Sequence, residues 1–327
     1  MSFFSFDSVQ RRKKCAIIGC HGLGGTIAYA LAHSGLADSL VLIDQDKRLS
    51  QGQAADVCAS LPFGTALDVW AGETADLANC ALIILTLGSS PLHESAHADM
   101  IALNSPLIRK AVLDVSAHAP EAIILVVSEP VDIMTYTATR YSGLSEKQIV
   151  GLGALPHTHR LRRLIAQYLN ISPEQVEAMI LGQAGRRATV CRSAIRVCGM
   201  PLLDYLAQMG RAHDAMILYS LFDDVINAFE RAQDAKGAPD FSLANAVVQV
   251  ADCVLNDKRM LLPLCTASDE FFDLSHVCMS VPCILGKHGV QVIESFTPAP
   301  AELEQLQKSA AALRSQLLDA QALFLQK

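Results

Sequence analysis

The sequence predicts an α/β chain in which a doubly wound parallel sheet over residues 1–151 is followed by a second, α+β domain over residues 152–327. Three observations carry that prediction. Between Cys15 and Asp44, CAIIGCHGLGGTIAYALAHSGLADSLVLID, an apolar run meets a glycine cluster, a helical stretch, and a second apolar run that ends in an acid. Strand, glycine-rich turn, helix and strand-acid in that order make a βαβ unit. Ala81 to Leu87 and Ala122 to Val127 are continuous apolar runs, as expected of parallel strands buried on both faces. Past Leu152 the pattern changes to long helical stretches around isolated strands.

The first turn has the layout that binds a dinucleotide. Glycines let the backbone turn tightly and come close to a pyrophosphate, whose charge then rests on the helix N-terminus. Gly19 and Gly24 stand at the first and third positions of the G-x-G-x-x-G spacing, and His21 takes the middle one. A side chain there enters the space that glycine leaves for the phosphates. A βα turn that has stopped binding a nucleotide is therefore the alternative reading. Asp44, about twenty residues past the turn, is placed to accept hydrogen bonds from a ribose 2′-OH.

The remaining elements follow in order. Gln45 to Leu61 reads as a polar helix that Pro62-Phe63-Gly64 ends, and Thr65 to Trp70 alternates like a short strand. A helix from Ala98 to Ala117 separates the two buried strands, and Gln148 to Gly151 supplies a sixth. Ligands of such sheets bind at the carboxyl ends of the strands. Gly19 to Gly25, Asp44, Thr86 to Gly88 and Ser128 to Pro130 are thus expected to line one crevice. In the second half, helices are expected at Arg160 to Asn170, Asp204 to Gln233 and Ser242 to Asn256, with strands at Val176 to Leu181 and Met260 to Ala267. A hairpin is expected from Phe272 to Ile293, and Leu303, Leu306, Leu313 and Leu317 form the buried stripe of a closing helix, Pro300 to Gln326.

Composition removes several functional classes. Hydrophobic residues make up 51% and charged ones 18%, which describes a packed globular chain. The net charge of −7 argues against a general nucleic-acid binder. The ten cysteines include no C-x-x-C pair and sit mostly in apolar runs, as reduced, buried thiols do. The opening MSFFSFDSVQRRKK lacks the apolar core of a signal peptide, and no apolar run approaches the length of a membrane helix. A cytoplasmic location is expected.

Several segments carry a resemblance: LVLIDQDKRLSQGQAADV, SEPVDIMTYT, GMPLLDYLAQMG, NDKRMLLPLC and HVCMSVPCILGKHGV. With them the chain resembles the malate and lactate dehydrogenase family over essentially its whole length, most closely the malate-dehydrogenase-like branch. The resemblance implies a Rossmann-type NAD domain, a small carboxylate-bearing substrate and a homodimer or homotetramer. It also implies a catalytic histidine, an aspartate that orients it, an arginine that clamps the carboxylate, a loop arginine that polarises the carbonyl and an asparagine that orients the substrate. Here Ala184 replaces the histidine, His157 the aspartate and Glu129 the asparagine, whereas Arg160 keeps the carboxylate clamp. The two loop arginines fall near Pro91 or Leu92 and on His97. On the cofactor side Gly19, Gly24, Asp44, Thr86, Gly88 and Asn104 match, and His21 departs.

Three readings follow. In the first, His157 is a relocated acid-base group oriented by Glu129, with Arg160 on the carboxylate and protonated His97 as the lid cation, in a rewired NAD-linked oxidoreductase. In the second, the chain is a catalytically inactive partner subunit or ligand sensor. In the third, His97, His157 and Glu129 form a facial-triad metal site with His93 and His159 nearby, although standard members of the family need no metal there.

Overall fold

The computed structural model describes residues 13–88, 97–237, 240–267 and 276–325. Pro91, Leu92 and His93 lie outside the described residues. The first half runs β1 (Lys14–Ile18), α1 (Leu23–Ser34), β2 (Ser39–Ile43), α2 (Lys47–Ser60), β3 (Asp68–Ala71), β4 (Leu82–Leu85), α3 (His97–His118), β5 (Ile123–Val126), α4 (Val131–Ser142) and β6 (Ile149–Gly151). The second half runs α5 (Leu155–Leu169), β7 (Val176–Glu177), β8 (Ile180–Gly182), β9 (Ala188–Val190), β10 (Arg196–Val197), β11 (Met200–Pro201), α6 (Leu202–Gln208), α7 (Asp214–Lys236), α8 (Asp240–Leu255), β12 (Met260–Ala267), β13 (Cys278–Gly286), β14 (Gly289–Val292) and α9 (Pro300–Leu325).

The parallel strands form where the chain can bury both faces. β2, β4 and β5 are apolar or small at every position and wholly buried, so no polar face fixes them at an edge. They stack in the order β3-β2-β1-β4-β5-β6, the doubly wound arrangement. The helices between them begin and end on local signals. Asp46 caps α2 by accepting from the Arg48 and Leu49 N–H groups, and α1 and α4 stop at Gly35 and Gly143 in the left-handed conformation.

Three details differ from expectation. The strand expected at Val176 to Leu181 is two, β7 in a separate three-stranded sheet with β10 and β11, and β8 in the main sheet between β13 and β9. The sheet does not end at β6: β12 pairs antiparallel with it through Cys265 and Gly151, and β13, β8 and β9 continue the same sheet. The helix expected over Asp204 to Gln233 is two helices. Gly210, at a φ of 68°, closes α6, and the Arg211 N–H returns to the Leu206 carbonyl. α7 then restarts at Asp214, a buried carboxylate that the Arg211 Nε reaches at 2.5 Å. On α9, Leu306, Leu313 and Leu317 are buried and Leu303 half-buried, so the stripe faces the core. Eight of the ten cysteines are buried and all ten are free thiols.

Candidate functional site

The carboxyl ends of β1, β2, β4 and β5 meet at one edge of the sheet, and hydrogen bonds tie them to one another. The Gly19 N–H donates to the Ile43 carbonyl at 2.8 Å, and the Thr86 Oγ1 donates to the Gly19 carbonyl at 2.6 Å. The Cys20 N–H donates to Asp44 Oδ2 at 2.6 Å, while Asp44 Oδ1 accepts from the Asp46 N–H at 2.9 Å. Asp44 is half-buried, its carboxylate fixed by backbone at the end of β2.

The turn needs its glycines. Gly19 has a φ of 104°, and a Cβ on it would come to 2.8 Å from the Thr86 carbonyl carbon and oxygen. A Cβ on Gly24 would overlap the Gly19 carbonyl oxygen, so this glycine lets α1 sit directly on the turn. Gly22 precedes α1 as a cap without a side-chain hydrogen bond, and the first turn of α1 holds no acidic residue. An uncapped, uncharged helix start of this kind suits an anion. His21 is exposed beside it and does not occupy the buried part of the turn. These features fit a dinucleotide.

Across the crevice, Asn104 on α3 is buried and its side-chain amide donates to the Glu129 carbonyl at 2.7 Å. A Cβ on Gly88 would overlap the Asn104 side chain, and Gly88 has a φ of 103°. Asn104 thus joins the end of β4 to the end of β5. The Glu129 Oε2 accepts from the Val131 N–H at 3.2 Å, at the start of α4. Burial pushes its pKa up, and that backbone N–H offsets it in part.

Asp132, one residue further along α4, is a site residue that the sequence reading missed. Only 3% of it is exposed. Its Oδ2 accepts from the Ala184 N–H at 2.8 Å, while Oδ1 has no hydrogen-bond partner among the described residues. Burial raises its pKa to about 7, against the pull of the Ala184 N–H and of the Cys265 thiol, and the charge of Glu129 adds to the rise. The sequence signal was an acid flanked by Val131 and Ile133 at a helix start, which also reads as an ordinary dipole partner.

His157 and Ala184 enter from the second half of the chain. His157 lies in the first turn of α5 and is 4% exposed. The same turn is held to the sheet by the Ala154 N–H on Ser280 Oγ at 2.9 Å and by the Ile180 N–H on Thr158 Oγ1 at 3.0 Å. Arg160 follows three residues later and is exposed. His159 is turned to α8, its Nε2 against Gln249 Oε1 at 2.5 Å, and burial lowers its pKa. His97 is the first residue of α3. The structure therefore brings Glu129, Asp132 and Ala184 together and places Arg160 on the surface of the helix that carries His157. Among the described residues no group of three or more His, Cys, Asp or Glu side chains is placed to hold a metal ion. No helix among them is long and apolar enough to cross a membrane.

Known proteins with this architecture have a recorded chemistry. Residues 13–151 match the family model described as lactate/malate dehydrogenase, NAD binding domain, and residues 157–323 match its alpha/beta C-terminal domain. A protein named L-lactate dehydrogenase from Synechococcus sp. (strain JA-3-3Ab) is 31% identical over 306 residues, 94% of this chain and 98% of the relative. One of the same name from Allorhizobium ampelinum is 32% identical, over 92% of this chain and 97% of its own length. The solved minor L-lactate dehydrogenase of Enterococcus mundtii superposes with a TM-score of 0.86 at 29% identity, covering 94% of this chain and 98% of that one. The malate dehydrogenase of Salinibacter ruber superposes equally well, at 0.86 and 25% identity, over 96% of this chain and 99% of that one. Lactate and malate enzymes thus fit the same frame.

Proposed function

The chain belongs to the lactate/malate dehydrogenase family, and from that premise we propose that it is an NAD-linked oxidoreductase acting on a small carboxylate-bearing hydroxy or oxo acid. The observation that carries this reading is the intact nucleotide cradle, with Asp44 fixed at the end of β2 and the Gly19–Gly24 contact preserved. When bound, NAD supplies the acceptor or donor of a hydride. Gly19, Gly24 and the N-terminus of α1 receive the pyrophosphate, and Asp44 receives the adenosine ribose and repels a 2′-phosphate. Thr86, Gly88 and Asn104 shape the opposite wall. Arg160, exposed on α5, binds the substrate carboxylate. His157 holds and releases the proton, with Glu129 orienting it and His97 as the lid cation. The domains divide after Gly151, and the protein works in the cytoplasm as a homodimer or homotetramer.

The test is a fluorescence titration with NADH, with NADPH as control, followed by a screen of oxo and hydroxy acids on the wild type and His157→Ala. Saturable binding that prefers NADH, and a fall in turnover of about 10²–10⁴-fold in the variant with binding retained, are the expected results. No binding up to millimolar NADH would remove the oxidoreductase reading and leave the inactive scaffold. Unchanged turnover in the variant would remove His157 from its role.

A further inference from the structure

The βα turn carries a side chain where the dinucleotide spacing calls for none. From Gly19 to Gly25 the ionisable residues are Cys20 and His21. Cys20 is buried, and its thiol, pushed up to about 12 by burial and by the charge of Asp44, stays neutral. His21 is exposed, and its carbonyl accepts from the Gly24 N–H at 2.7 Å, which closes the turn. The turn is packed on one side only. A Cβ on Gly19 or Gly24 would run into backbone, whereas one on Gly22, at a φ of 35°, would meet nothing within 4 Å. The open side is that of His21 and Gly22, where α1 begins.

A neutral imidazole at this position only takes room from a phosphate. A protonated one offers it an N–H donor and a positive charge. The start of α1 contributes about half a unit of charge and holds no basic side chain, while a pyrophosphate diester bears a negative charge on each phosphate. We propose that His21 is a pyrophosphate-binding residue, acting as an imidazolium at the position that glycine would leave bare, so that dinucleotide binding takes up a proton at this side chain.

The proposal rests on the NAD-linked reading above and adds to it a residue that sets how cofactor affinity depends on pH. The other charged groups on the elements around the turn are engaged or do not change. Asp44 accepts from the Cys20 and Asp46 amides, and Asp46 from those of Arg48 and Leu49. Lys47 pairs with Glu73, and Asp240, at the start of the helix α8 that packs against α1, faces Lys236 at 3.9 Å. Glu129, beyond the end of β5, accepts from the Val131 N–H. Arg48 is exposed and carries a permanent charge. Histidine is the side chain that ordinarily changes charge between about pH 5 and 8. An anion that favours its charged form binds most tightly at low pH, loses affinity as the pH rises through the titration, and is level above it.

Calorimetry tests this by measuring the binding of NADH and of ADP-ribose between about pH 6 and 8.5, in two buffers of different ionisation enthalpy. ADP-ribose keeps the pyrophosphate and lacks the nicotinamide, so groups that meet only the nicotinamide drop out of its pH profile. The proteins are the wild type, His21→Gln, His21→Lys and His21→Gly. Expected for the wild type are net proton uptake and affinities for both ligands that rise about threefold to tenfold from the top of that range to the bottom. His21→Gln should bind at every pH as weakly as the wild type does at the highest. His21→Lys, a folded control that restores a fixed charge, should bind tightly throughout. Parallel pH profiles for the wild type and His21→Gln would overturn the proposal. So would tighter binding by His21→Gly than by the wild type at pH 6, since the imidazole would then be an obstruction. In both cases the dinucleotide still binds and the NAD-linked reading stands. If none of these proteins binds NADH or ADP-ribose up to millimolar concentration, the NAD-linked reading falls, and the role of His21 with it.

Discussion

Asp132 shows how one buried side chain sets a pH dependence. Its pKa rises from 3.8 to about 7 on folding, so between those values the folded chain holds a proton that the unfolded chain has released. Stability from this group is therefore greatest near pH 4, falls as the pH rises to about 7, and is level above that. The sum is a few kcal/mol, at about 1.4 kcal/mol for each pH unit. Asp132→Asn removes the titration and keeps an oxygen for the Ala184 N–H. Chemical denaturation between pH 4 and 8 should show the wild type losing stability relative to the variant over the lower part of that range. Parallel pH profiles would mean that Asp132 is ionised throughout. At the same scale the candidate site was only partly legible. Gly19, Gly24 and Asp44 could be read because glycine spacing and a strand-end acid are local patterns. Asp132 could not, because its significance lies in the Ala184 N–H fifty-two residues away and in an oxygen with no partner.

At the scale of elements, sequence pattern located nearly every strand and helix of the first half, because a strand buried on both faces must be apolar at each position. The second half was harder. Nothing in Asp204 to Gln233 breaks the helical period, and the division between α6 and α7 rests on Gly210 and on the Arg211 contacts to Leu206 and Asp214, short-range chemistry that a hydrophobic period does not register. The βα turn is the element on which function depends most. α1 lies so close to the end of β1 that a single methyl group at Gly24 meets the Gly19 carbonyl oxygen. Gly24→Ala should displace α1 from the turn and lower stability by about 1–3 kcal/mol, as overpacking does. It should weaken NADH binding more than tenfold, since the helix start and the turn amides must face the same phosphate. Thermal unfolding and an NADH titration on the same preparation check both effects. Lost stability with unchanged affinity would show that the helix start is not where the cofactor rests.

On the scale of the whole molecule, the two halves are one hydrogen-bonded body. The sheet passes from β6 to β12 through the Cys265–Gly151 pair and on to β13, β8 and β9. One hydrophobic core runs from Cys15 on β1 to Leu317 on α9, so the closing helix packs into the same interior as the first strand. A second cluster, around Leu161, Ile165 and Phe222, is joined to that body where the Ala154 and Ile180 amides meet Ser280 and Thr158. The candidate site depends on this union, because Glu129 and Asp132 come from one half and Ala184 and His157 from the other. A chain built this way should unfold as a unit. The single tryptophan, Trp70 on β3, lies far along the sheet from the second cluster and reports only on the first half. Far-UV circular dichroism reports on the helices of both. In a denaturant titration the two signals should share one midpoint and one slope. If tryptophan fluorescence changes at a different denaturant concentration, the halves melt separately. The site would then be assembled by docking two independently stable parts, and its geometry would respond to whatever shifts them.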